Sequence, residues 1–199
     1  MVWNGQHFLG LEDLSKEDIQ SLIRRASHFL EAGNRYEPNA PLTGKIIANL
    51  FMENSTRTRC SFTIATKRLG GDCIDLLGGT SSASKGETLV DTAMNLEAMG
   101  VAGIAVRCSE ECGPSDIASN VGIPVINAGS GTASHPTQAL LDAGTLLHHF
   151  GCNDLSGQHI AIVGDITHSR VARSNVIGLT KLGAKVTLVG PQELLPTDP

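Results

Sequence analysis

Lys45-Ile46-Ile47-Ala48-Asn49-Leu50-Phe51, running into Met52-Glu53-Asn54-Ser55-Thr56-Arg57-Thr58-Arg59, is the stretch on which the fold turns. The first seven residues form an apolar, strand-like run, and a helix-like segment follows over Thr58–Leu69. A strand, a hydroxyl-rich turn and a helix aim backbone N–H groups and a helix dipole at one point, which suits an anion. Three hydroxyls and two guanidiniums fall at that turn. Guanidinium forks match phosphate oxygens, and hydroxyls fill the remaining acceptors. The turn therefore reads as a phosphate seat. The plainer alternative is a helix cap at Ser55 or Thr56 with solvated arginines.

Outward from this turn, strand and helix signals alternate. Leu14–Ala32 is an amphipathic helix opened by Ser15 with Asp18, a capping-box pattern. After Phe51 come a strand over Cys73–Leu77, a helix over Glu87–Met99 and a strand over Gly103–Arg107. A helix over Ser115–Val121, a strand over Pro124–Ala128 and a helix over Pro136–Phe150 follow. The last signals are a strand over Ile160–Asp165, a helix over Arg170–Leu182 and a strand over Lys185–Val189. This order predicts an α/β fold, a parallel sheet with helices on both faces. Ligands bind such sheets at the carboxyl ends of the strands. A boundary is expected near Gly151, giving one complete domain over 1–150 that ends in a linking helix. The start of a second, similar α/β domain over 151–199 would follow, the chain being the front part of something longer. Gly78–Ser84, rich in glycine and serine, is expected to be a mobile loop.

Composition narrows the function. Of 199 residues, 41% are hydrophobic and 18% charged, a globular balance. A net charge of −5 and only 4% aromatics leave no basic surface for nucleic acid. No run is long and apolar enough to span a bilayer, and no signal peptide is evident. Five dispersed cysteines, including Cys108 and Cys112, read as free thiols rather than as a disulfide framework or metal site, so the cytoplasm is expected.

Four more clusters stand at strand ends or helix starts. Arg107 ends its strand and points to the crevice, or else makes a surface salt bridge. His135-Pro136-Thr137-Gln138 opens a helix. His135 and Gln138 offer an imidazole donor and an amide suited to a carbonyl and an amide nitrogen, and the helix dipole would keep His135 neutral. A histidine cap without chemistry is the alternative. Gly129-Ser130-Gly131 lacks the third glycine of a dinucleotide fingerprint. Lys85-Gly86-Glu87-Thr88 places a cation on a tether, and Asp165 to Arg170 places a fork at a helix start that could clamp a carboxylate.

Taken together, Ser55-Thr56-Arg57-Thr58-Arg59, Lys85-Gly86-Glu87-Thr88, Arg107, His135-Pro136-Thr137-Gln138 and Asp165-x-x-x-x-Arg170 resemble the aspartate/ornithine carbamoyltransferase family. Ser81 through Thr88, His135 through Asp142, and His168 through Arg173 resemble its aspartate branch. The resemblance implies transfer of the carbamoyl group of carbamoyl phosphate to the α-amine of L-aspartate, an early step of pyrimidine biosynthesis, without metal or cofactor. It implies that Ser55, Thr56, Arg57, Thr58 and Arg107 hold the phosphate and that His135 and Gln138 hold the carbamoyl end. Arg57, Thr58, Arg107 and His135 would be catalytic, and Lys85 and Arg170 would bind aspartate. Glu53 would pair with Arg170 as the domains close. A homotrimer is implied, with Ser81 and Lys85 entering a neighbouring subunit's site; some family members also associate with regulatory or dihydroorotase-like chains. Family members carry a complete second domain with a further arginine. Three other possibilities stay open: the ornithine reaction, a non-catalytic phosphate- or nucleotide-binding module, and a subunit that mainly assembles.

Overall fold

The computed structural model describes residues 5–32, 40–78 and 87–197. Ser81, Lys85 and most of the expected glycine–serine loop lie outside them. The chain divides into two compact units: Gly5–Leu9 with 40–131, and Gly10–Ala32 with 132–197.

The first unit holds four parallel strands in the order β2-β1-β3-β4: β1 (Ile46–Phe51), β2 (Asp72–Leu77), β3 (Gly103–Cys108) and β4 (Val125–Ser130). Three helices connect them: α2 (Thr56–Arg68), α3 (Leu89–Ala98) and α4 (Gly113–Ala118). Residues alternate between sheet faces with period two. Ala48, Leu50, Ile104 and Val106 pack with Ala93 and Leu96 of α3 and Ile117 of α4. Phe51, Ala105 and Ala128 pack with Phe62 of α2 on the other face. Helices thus cover both faces, as the apolar runs require. From β1 the chain crosses one way to β2 and then back past β1 to β3. The carboxyl end of β1 is therefore a topological switch point, where such sheets bind ligands. Phe8 extends the sheet beyond β4: its N–H donates to the Val125 carbonyl (2.8 Å) and its carbonyl accepts from Asn127 N–H (2.8 Å). Sequence periodicity gives no sign of that one-residue bridge.

The second unit contains α1 (Lys16–Ala32), α5 (Pro136–Phe150), the parallel pair β5 (His159–Val163) and β6 (Lys185–Val189), and α6 (Arg170–Lys181). Ser15 and Asp18 form the expected capping box. The Ser15 Oγ accepts from Asp18 N–H (3.1 Å), and the Asp18 carboxylate accepts from Ser15 N–H (3.1 Å). Lys16 pairs with Asp154 at 2.8 Å, and the Lys181 ammonium donates to the carbonyls of Leu11, Glu12 and Leu14. These bonds tie α1 to Asp154 and the segment before α1 to α6; by compactness α5 also falls in this unit. All the expected strands and helices form, with ends shifted by a few residues.

Candidate active site

The start of α2 is the candidate anion seat. Ser55 is its N-cap residue, with φ −154° and ψ 86°, and its side chain makes no capping hydrogen bond. The helix begins at Thr56, two residues earlier than the sequence pattern suggests, so Thr56, Arg57 and Thr58 all lie in its first turn. First-turn N–H groups have no partner within a helix. Here they are left without a side-chain cap, which removes the plainer reading of Ser55. Arg57 is exposed, with no ion-pair partner among the described residues. Arg59 behaves differently: its Nε lies 3.5 Å from Asp75 Oδ2 on β2. Of the two guanidiniums expected at the turn, only Arg57 is presented outward.

Arg107 stands in register with Phe51, the last residue of β1. Its side chain is only 13% exposed, so it is not a surface arginine; its Nε lies 3.3 Å from Glu53 Oε2. A register shift sits between Val106 and Cys108 opposite β4, where Gly129 adopts φ +124°. In that irregular stretch the Ala128 carbonyl accepts from Arg107 Nη1 at 3.4 Å. Such bulges re-aim side chains at strand ends. Gly131, at φ +42°, turns the chain so tightly that a Cβ there would come within 2.8 Å of the Ser109 carbonyl oxygen. Both glycines of Gly129-Ser130-Gly131 are therefore accounted for by backbone geometry.

A cavity of about 460 Å³ opens beside the starts of α3 and α4, lined by Met52, Thr88, Glu87, Glu110 and Asp116 among others. Three carboxylates make it a poor phosphate site. Cys108 is buried, and burial, with the Glu110 charge second, pushes its thiol up to about 12. It stays protonated and unreactive, and Cys112 is a free, exposed thiol.

In the second unit, His135 caps α5 at φ −145° and ψ 72° without a side-chain capping bond, and Pro136 fills the first helical position. His135 is 6% exposed. Its backbone N–H donates to Ser174 Oγ of α6 at 2.9 Å, and its Nδ1 lies 3.4 Å from Thr137 Oγ1. Asp142 ties the same two helices: one oxygen accepts from Gln138 Nε2 (2.8 Å) and the other from Asn175 Nδ2 (2.7 Å). Arg170 is the first residue of α6, behind Ser169, whose Oγ accepts from Ala172 N–H (3.1 Å). Asp165 accepts from the His168 N–H (3.1 Å), the main cause that holds its carboxyl below the usual range. The structure thus groups Glu53, Ser55–Thr58 and Arg107 in one unit, and His135, Gln138 and Arg170 in the other. Ser174 and Asn175 were not legible as supports, since only tertiary packing brings them to α5.

Residues 6–148 match the family model for the carbamoyl-phosphate-binding domain of aspartate/ornithine carbamoyltransferase. Among curated relatives, the aspartate carbamoyltransferase catalytic subunit of Opitutus terrae is 49% identical over 197 residues, covering 98% of this chain and 62% of the relative. That of Syntrophus aciditrophicus is 49% identical over 199 residues, covering 100% and 64%. Aspartate transcarbamoylase of Trypanosoma cruzi, solved with N-(phosphonacetyl)-L-aspartic acid, superposes with a TM-score of 0.87 at 36% identity over 98% of this chain and 63% of that one. Ornithine carbamoyltransferase of Thermus thermophilus gives 0.88 at 31% identity, over 98% and 65%. The chain belongs to the aspartate/ornithine carbamoyltransferase family. It spans just over three fifths of the length of these relatives.

Proposed function

We propose that the protein to which this chain belongs transfers the carbamoyl group of carbamoyl phosphate to L-aspartate. The observation that carries this is the α2 start: an uncapped first turn with two hydroxyls and an outward arginine, at the switch point of the sheet, level with Arg107. Ser55, Thr56, Arg57, Thr58 and Arg107 take the phosphate, and His135 and Gln138 take the carbamoyl end. Arg170 and Lys85 take aspartate carboxylates, and Glu53 exchanges Arg107 for Arg170 during turnover. The α-amine attacks the carbamoyl carbon, and the C–O bond to phosphate breaks. Thr58, Arg107 and His135 stabilise charge on the carbonyl oxygen, and Arg57 stabilises it on the departing phosphate. Holding two reactants together supplies much of the rate, with no covalent intermediate.

Aspartate is favoured over ornithine because Lys85 and Arg170 suit an acidic acceptor, and the curated relatives quoted are named for aspartate. We further propose a homotrimer in the cytoplasm, with Ser81 and Lys85 serving a neighbour's site. Product formation from carbamoyl phosphate with aspartate or ornithine tests the assignment. N-carbamoyl-aspartate alone is expected; citrulline alone, or no product from a full-length homologous protein carrying these residues, would overturn it. Mixing inactive Arg57→Ala and Lys85→Ala chains should restore activity if sites are shared between subunits, and should not if each site is built from one chain.

A further inference from the structure

Asn49 is an amide in the middle of an apolar strand and is fully buried, at 0% exposure. A buried polar group is costly unless it is bonded. Its Nδ2 lies 2.8 Å from Asp75 Oδ1, 3.0 Å from Thr63 Oγ1 of α2 and 3.1 Å from Cys73 Sγ. The β1–β2 register sets Asn49 directly opposite Asp75. The second Asp75 oxygen faces Arg59 Nε at 3.5 Å. An amide, a carboxylate and a guanidinium thus link the middle of the sheet to the first turns of α2. Helical side chains lean toward the helix N-terminus. Arg59, four residues after Ser55, would lean over the Ser55–Thr58 turn if no counter-charge drew it to β2.

We infer that Asp75, oriented by Asn49, is a positioning residue that holds Arg59 out of the anion seat and leaves Arg57 as the guanidinium of that turn. This deepens the carbamoyl-transfer proposal and rests on it. A second guanidinium in the seat binds ground-state phosphate more tightly. Binding the product more tightly slows its release without lowering the barrier to transfer.

The test is calorimetric titration of the chain with inorganic phosphate and with carbamoyl phosphate, each variant being checked for an intact unfolding transition. Asp75→Asn and Asp75→Ser are each expected to bind inorganic phosphate about fivefold more tightly than wild type. Adding Arg59→Gln to either should cancel the gain, and Asp75→Glu should keep wild-type affinity. A merely structural role predicts the opposite sign, since a loosened α2 start binds phosphate less well. If wild type binds both ligands and neither Asp75 variant gains affinity, or the gain survives Arg59→Gln, the role of Asp75 is overturned alone. If wild type binds neither ligand, the anion seat at the start of α2 falls and the role of Asp75 with it.

Discussion

The starts of α2 and α3 carry the same kind of residue and use it differently. At α3, Thr88 forms a complete capping box: its Oγ accepts from Asp91 N–H (3.0 Å) and its own N–H donates to Asp91 Oδ2 (3.1 Å). At α1 and α6, Ser15 and Ser169 are likewise committed to their helices. At α2 and α5, Ser55 and His135 place no side chain on the first-turn N–H groups. A capped start has answered its own backbone and has little left for a ligand. An uncapped start at a strand's carboxyl end leaves those groups to something that arrives later. The contrast is drawn between the starts of α2 and α3 and is not a general marker of a site: α4, behind Cys112, also starts without a side-chain cap, and Arg170 stands at the capped start of α6.

The strongest way to break this contrast is Arg57→Ala. Turnover is expected to fall about a thousandfold, with a smaller loss of carbamoyl-phosphate affinity and no change in ligand-free melting. Steady-state kinetics beside a thermal scan would show it, and near-normal turnover would remove the arginine from the mechanism. His135→Ala at the other uncapped start should lower kcat about a hundredfold, measured at saturating carbamoyl phosphate.

A matched pair of cap deletions sharpens the contrast further. Thr88→Ala should cost about 1 kcal/mol of unfolding free energy, the usual loss of a capping side chain. Ser55→Ala should leave denaturant stability almost unchanged and weaken phosphate binding. Equal destabilisation of both would mean that Ser55 caps in solution.

The smallest effect concerns acid. Hydrogen bonds from the Thr88 hydroxyl, and then from its backbone N–H, hold the Asp91 carboxyl below its ordinary value. A depressed carboxylate contributes stability above its unfolded pKa, about 3.9, and loses it as pH falls through the folded value. Between neutrality and about pH 5 the contribution of Asp91 should therefore be flat. Below that it should decline, and Thr88→Ala should flatten the decline in a pH series of melting curves.

Much of the scaffold was readable because its signals are local. Apolar runs of five or six residues, separated by helical periods and punctuated by glycine, mark β1 through β6 in order. The α2 turn was legible as a phosphate seat, but whether Ser55 also caps the helix was not, since a serine looks the same in sequence either way. That Arg59 turns toward Asp75 was not legible, because Asp75 lies on another strand and only the parallel register brings them together. Asn49 did leave a trace, a polar residue inside an apolar run, which without a neighbour in view reads as noise. The ties from Ser174 and Asp142 between α5 and α6 needed the helices packed before they could be seen.

Since β1 and β2 are paired one-to-one from Ile46 with Asp72 to Phe51 with Leu77, the link at Asn49 is sensitive to parity. Inserting or deleting a single residue early in β2 would turn the strand over relative to its neighbour. The Asp75 carboxylate would then turn to the side of the sheet that holds Leu50, Leu96 and Ile104, and Ile74 after an insertion, or Leu76 after a deletion, would replace it under Arg59. A two-residue change would keep the sides and merely slide the partner along. Length variation in this strand should therefore come in even steps, or be accompanied by the loss of both Asn49 and Asp75.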